Sequence, residues 1–202
     1  MNDSKKWLDD DLLNAIQHIA VEGMDNAAKG FSGMVGQTLT VSQPGVKLVP
    51  LSLIPALLGG PEDEAVGIYL RAEGSLGGQI ILVVPLAQTY ELVDLIMGNP
   101  EGTTTELGSL ERSALAEVGN ITGTFFLNRL AELTQYDIRP TPPAVIVDMV
   151  GAILDVLVAT TAGITDQVIL LEATFACGDR QLNANFWVVP DTHTLESLFK
   201  ES

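Results

Sequence analysis

From Asp10 to Val35 the apolar residues recur at helical spacing. Leu12, Leu13, Ile16, Ile19 and Ala20 fall on one side of a 3.6-residue turn, which predicts a long amphipathic helix. The period then shortens. Thr38–Val41 and Val46–Leu51 read as strands, and Ser52–Leu58 as a short apolar helix closed by Gly59-Gly60. Two further strands, Ala65–Ala72 and Gln79–Val84, flank the glycine-rich turn of residues 73–78. A helix over Leu86–Met97 ends at Gly98-Asn99-Pro100, because glycine accepts the left-handed conformation and proline cannot continue a helix.

After the polar, threonine-rich stretch Glu101–Thr105 the same text begins again. A long helix is predicted from Ser109 to Leu133, with Leu110, Ala114, Leu115, Val118, Ile121, Phe125 and Phe126 on its apolar side. An extended segment covers Ile138–Asp148 and a helix Met149–Ala159. Strands follow at Gln167–Cys177 and Gln181–Val189, and a last helix covers Thr192–Lys200. Leu82-Val83-Val84-Pro85 matches Trp187-Val188-Val189-Pro190, and Thr89 and Thr194 stand at equal distances beyond the two prolines. Residues 10–100 and 106–202 therefore read as an internal repeat within one domain spanning 1–202. An alignment of the long helices at an offset of 95 places Glu22 under Glu117 and Asp25 under Asn120. Strands joined by tight turns pair antiparallel. The expected fold class is α+β, with two halves about a pseudo-two-fold axis and two long helices over a central antiparallel sheet.

Composition narrows the function. A net charge of −16 disfavours nucleic acid and anionic membrane surfaces, both of which call for Lys and Arg. No apolar run approaches a membrane span, and no apolar segment follows a basic start. A single cysteine, Cys177, excludes an internal disulfide and multi-cysteine zinc sites. The expectation is a cytoplasmic, soluble chain in which Cys177 is an inert core residue. His18 and His193 lie in no metal-ligand spacing, and no glycine-rich phosphate loop follows a strand, so neither a resident metal nor a nucleotide is expected.

One constellation carries chemistry. Ser113, Glu117 and Asn120 stand at i, i+4 and i+7, on one face of the second long helix, and Pro143 follows Asn120 after 22 intervening residues. Gly119, immediately before the Asn, costs roughly 1 kcal/mol inside a helix, which implies either a close approach to the backbone there or a packed helix that needs room. This pattern, Asp/Ser-x3-Glu-x2-Asn-x22-Pro, resembles that of the CheC, CheX and FliY phosphatases of chemotaxis. The chain resembles CheC in length, duplication and order of elements.

The resemblance implies a phosphatase acting on the phospho-aspartate of a CheY-like response regulator. Asn120 would position the attacking water, Glu117 would pair with the regulator's lysine, and Ser113 would add a peripheral contact. Pro143 would shape the surface beside the helix. It implies no cofactor of the chain's own, Mg²⁺ on the partner regulator, CheD as a further partner, and a monomer. The first half departs from the pattern: Glu22 is kept, Asp25 replaces the Asn, and Pro44 and Pro50 are out of register at the offset of 95. An alternative start at Asp11 lands on Ala15 and His18. One active helix and a degenerate site at Glu22 and Asp25 are expected. The alternative is a non-catalytic scaffold resembling the middle domain of the flagellar-switch protein FliM. In that case the polar stripe would be no more than a solvated helix face.

Overall fold

The computed structural model describes residues 10–42, 44–161, 167–191 and 194. The first half contains α1 (Asp10–Val35), β1 (Thr40–Val41), β2 (Gly45–Pro50), a 3-10 turn (Leu51–Leu53), α2 (Ile54–Leu57), β3 (Glu64–Gly74), β4 (Gly78–Pro85) and α3 (Leu86–Ile96). The second contains α4 (Ser109–Thr134), β5 (Ile138–Pro140), β6 (Ala144–Met149), α5 (Val150–Thr161), β7 (Gln167–Cys177) and β8 (Arg180–Pro190). The predicted elements are present with small changes at their ends, and the extended segment 138–148 divides into two strands. The helix expected over Thr192–Lys200 falls, apart from Thr194, outside the described residues.

All eight strands join one antiparallel sheet in the order β1-β7-β8-β4-β3-β5, with β2 also on β7 and β6 also on β3. The α+β duplication is therefore visible in the pairing: β3 with β4, β5 and β6 mirrors β7 with β8, β1 and β2. The halves meet at the β4–β8 pair, where Ile81 stands opposite Trp187. Strand alternation sends one set of side chains to each face. Ile68, Leu70, Leu82, Ile169, Leu171 and Phe186 pack under α1, α3 and α4. Ile81, Val83, Leu170 and Trp187 face the other way, under Ile54 of α2 and Ile153 and Leu157 of α5.

Burial fixes the register of the duplication. Both long helices have 26 residues. The buried positions of α4 are Leu115, Val118, Gly119, Thr122, Gly123, Phe126 and Leu127. Shifted by 99 they fall on Ile16, Ile19, Ala20, Gly23, Met24, Ala27 and Ala28, all buried in α1. The same offset maps β6 onto β2 and Pro143 onto Pro44. The offset of 95 read from sequence is thus corrected by four residues. Leu110 is corrected too, since it is 62% exposed, whereas the small residues Gly119 and Gly123 occupy the buried stripe.

These glycines let α4 lie close on β3. A Cβ at Gly119 would fall 2.4 Å from Ile68 Cγ2, and one at Gly123 2.4 Å from Leu70 Cδ2. On the other flank α1 meets α4 through its own glycines: a Cβ at Gly23 would sit 3.3 Å from Phe126 Cα, and one at Gly30 2.9 Å from Ile121 Cγ2.

A second device bridges the gap between the paired short strands. Thr141 N–H donates to the Arg71 carbonyl (2.8 Å), and Thr141 Oγ1 accepts from Arg71 N–H (2.9 Å). Ser42 does the same with Thr174, at 2.9 and 3.0 Å. Ser42 and Thr141 are also 99 residues apart and stand two residues before Pro44 and Pro143. Each hydroxyl takes the place of a ladder partner where β1 gives way to β2, or β5 to β6.

The link between the halves is held by Asp94, which is fully buried at the end of α3. Its carboxylate accepts from Thr103 N–H (3.0 Å), Thr104 N–H (2.9 Å) and Thr104 Oγ1 (2.6 Å), fixing the approach to α4. Burial alone would raise this carboxyl, but the bonds from Thr104, Thr103 and Gly102 together hold it below its ordinary value.

Helix propensity alone would make Gly119→Ala stabilising by roughly 1 kcal/mol. The branched Ile68 cannot swing aside, so the variant is expected to lose about 1–3 kcal/mol by denaturant unfolding. A lowered folded-state value means that Asp94 contributes stability above the ordinary carboxylate range and loses it as the pH falls through that folded value. Asp94→Asn should cost about 1–3 kcal/mol at neutral pH, and its stability should fall less steeply than that of the unmodified chain on acidification below about pH 4, followed by thermal melts.

Candidate functional site

The polar stripe predicted on α4 lies on the outside of the helix: Ser113, Glu117 and Asn120 are all exposed. Ser113 Oγ donates to the Ser109 carbonyl at 2.8 Å, which keeps its lone pairs outward. Among the described residues neither the Glu117 carboxylate nor the Asn120 carboxamide is engaged in a hydrogen bond or ion pair. Both are available to a partner.

Pro143 joins this stripe from another element. It lies at the entry of β6, and its Cβ would be 3.3 Å from a Cβ placed at Gly119. The ring therefore packs on the helix backbone one residue before Asn120. That contact is the close approach which the glycine implied. The long spacing of the motif is the path from α4 through β5 and the Thr141 clamp back to the same helix. The clamp was missed in the sequence. Its signal was a hydroxyl residue two positions before a proline, in both Ser42-Gln43-Pro44 and Thr141-Pro142-Pro143.

The first half is different. Glu22 is paired with Arg129 of α4, which also bonds Glu132 at 2.9 Å, and Asp25 pairs with Lys29 at 2.6 Å. Both carboxylates are engaged within the chain. In the burial register the positions matching Ser113, Glu117, Asn120 and Pro143 are Asn14, His18, Val21 and Pro44. The pairing of Glu22 with Glu117 and of Asp25 with Asn120 is thus moved by one helical turn, and Pro44 proves to be in register. In either register α1 lacks a glutamate followed three residues later by asparagine.

Other candidates fall on bland positions. His18 is exposed on α1, and His193 lies outside the described residues. Cys177 is buried, with its thiol 3.5 Å from Gln37 Oε1. No group of three or more His, Cys, Asp or Glu among the described residues is placed to hold a metal ion. Among the described residues no helix is long and apolar enough to cross a membrane.

An exposed carboxylate and carboxamide stand together on one helix face, and the duplicated antiparallel sheet carries that helix. Residues 110–147, which bear all four motif residues, match the family model described as the CheC-like family. Over 193 residues the chain is 26% identical to the CheY-P phosphatase CheC of Bacillus subtilis, covering 94% of this chain and 91% of that protein. A putative CheY-P phosphatase, CheC1 of Halobacterium salinarum, is 22% identical over 134 residues, covering 66% of this chain and 68% of that one. Among solved structures, Thermotoga maritima FliY superposes with a TM-score of 0.73 at 21% identity, covering 96% of each chain. The middle domain of FliM from H. pylori superposes with a TM-score of 0.69 at 12% identity, over 96% of this chain and all (100%) of that one. The resemblance drawn from the motif thus agrees with the family match over residues 110–147, with the similar relatives and with the fold.

The first-half carboxylates give a direct test. On the reading that the α4 face acts on a phosphorylated partner, the double change Glu22→Ala with Asp25→Ala should leave phosphate release within about twofold, well under 1 kcal/mol in barrier.

Proposed function

We propose that this chain is a CheC-type phosphatase that hydrolyses the phospho-aspartate of a CheY-like receiver domain through the α4 face. The observation that carries this reading is the exposed, unengaged pair Glu117 and Asn120, braced by Pro143, within the CheC-like segment. The names of the relatives support a phosphatase role in chemotaxis.

The chemistry asks little of the chain. In an acyl phosphate a water oxygen bonds to phosphorus as the bond to the aspartyl oxygen breaks. The carboxylate leaves with the electron pair, and the water's protons pass to phosphate and solvent. The receiver supplies Mg²⁺, a lysine and a hydroxyl around the phosphoryl group, so what remains is to position the water. The carboxamide of Asn120 suits this task, since it accepts from the water through Oδ1 and donates to a phosphoryl oxygen through Nδ2. Glu117, one turn earlier, docks on the receiver's lysine. Ser113 contacts the rim, and the ring of Pro143 holds the helix at its height. A carboxylate at the Asn position would repel the phosphoryl group, and Val21 of the first half has no polar atom to offer. One helix is therefore active.

The chain acts as a cytoplasmic monomer in this reading and requires no cofactor of its own. CheD is a further candidate partner by the same resemblance. A scaffold role like that of FliM shares the fold, and fold alone does not distinguish the two. The free Glu117–Asn120 face favours the enzyme.

Asn120→Ala should reduce stimulated phosphate release by about 10²–10³ with the fold intact by circular dichroism. Near-full activity would remove the one-site mechanism. Glu117→Lys should weaken affinity for a beryllofluoride-activated receiver more than it slows turnover, because it places two cations together. Unchanged affinity with lost turnover would make Glu117 a chemical group instead.

A further inference from the structure

The two prolines related by the duplication are treated differently by the helices beside them. Gln17 of α1 donates its Nε2–H to the Pro44 carbonyl at 2.5 Å, and Pro44 is buried. The residue matching Gln17 at the offset of 99 is Ala116, which has no donor to give. The Pro143 carbonyl has no hydrogen-bond partner among the described residues, and Pro143 is only half-buried. It is not consumed by the sheet either. Tyr69 stands opposite Ala144, and Arg71 on the same side of β3 is taken by Thr141. By analogy with the Gln17–Pro44 contact of the first half, this carbonyl would face α4 beside Ala116, one turn before Asn120.

We propose that the Pro143 carbonyl is a second acceptor of the site, receiving one hydrogen of the attacking water while Asn120 Oδ1 receives the other. With both hydrogens held, the water's lone pair is turned toward phosphorus. Two fixed acceptors orient a water where one leaves it free to rotate about its single bond. The half that has His18 and Val21 in place of Glu117 and Asn120 has its proline carbonyl closed by a glutamine. The half that carries the pair has it open. The proline of the motif then has two roles: its ring sets the height of the helix over β3, and its carbonyl faces the water.

This rests on α4 being the docked face, so the test separates the two ideas. Ala116 is changed to Gln, which restores the donor present in the first half, and in a second variant to Met, which has similar bulk and no donor. Phosphate release from the phosphorylated receiver is measured at saturation, and affinity is measured with the beryllofluoride-activated receiver. A116Q should lose at least tenfold in kcat with affinity within about twofold, while A116M keeps most of its turnover. Equal kcat in A116Q and A116M would overturn the role of the carbonyl, whether both are active or both are slow. An unmodified chain that releases no phosphate from the receiver would overturn the docked face itself.

Discussion

The architecture hangs on the closeness of α4 to β3. Gly119 and Gly123 have no side chains because Ile68 and Leu70 already fill that space. The helix backbone is thereby drawn down until Pro143 touches it beside Gly119. A larger residue at either glycine would lift the helix and separate Asn120 from the proline. Interiors pack near crystal density, so such a displacement is not absorbed locally. The glycine whose propensity cost stood out in the sequence is the residue that sets the geometry of the face.

The duplication supplies the rest of the frame. α1 rests on α4 through Gly23 and Gly30, and each half closes its sheet with a hydroxyl clamp ahead of a proline. That clamp survives in the half without the glutamate–asparagine pair, which marks it as part of the fold. In the proposed reading, function is a local difference laid on a symmetric scaffold. Glu117 and Asn120 are free on one helix, while His18 and Val21 occupy the matching turn of the other. Glu22, one turn further on, has become a strut to Arg129.

Much of this was legible in the sequence. The two long amphipathic helices, the paired strand runs and the repeated Val-Val-Pro ending led to the α+β duplication. The Glu117–Asn120 face followed from the spacing of three polar residues on one helix. What failed was the register of the repeat. A slip of four residues is close to one helical turn, so the apolar stripe looks nearly the same at offsets of 95 and 99. Only burial, together with the partners of β2 and β6, separates the two. Leu110 misled for a related reason: it continues the apolar spacing, but it lies in the first turn of α4, outside the buried stripe. The buried stripe instead contains two glycines and a threonine, residues that hydropathy does not mark as core. The clamps were hidden because a hydroxyl before a proline is common and gains meaning only when its strand partner is known.

In the proposed reading a phosphorylated receiver meets this chain on α4 and on the loop that carries Pro143, and not on the matching face of α1. The most direct measurement is an amide NMR titration of the isotope-labelled chain with a beryllofluoride-activated receiver. Shifts concentrated at Ser113, Glu117, Asn120 and Thr141, with Asn14, His18 and Val21 unmoved, are the expected result. Equal perturbation of both helices, or perturbation of α1 alone, would contradict it.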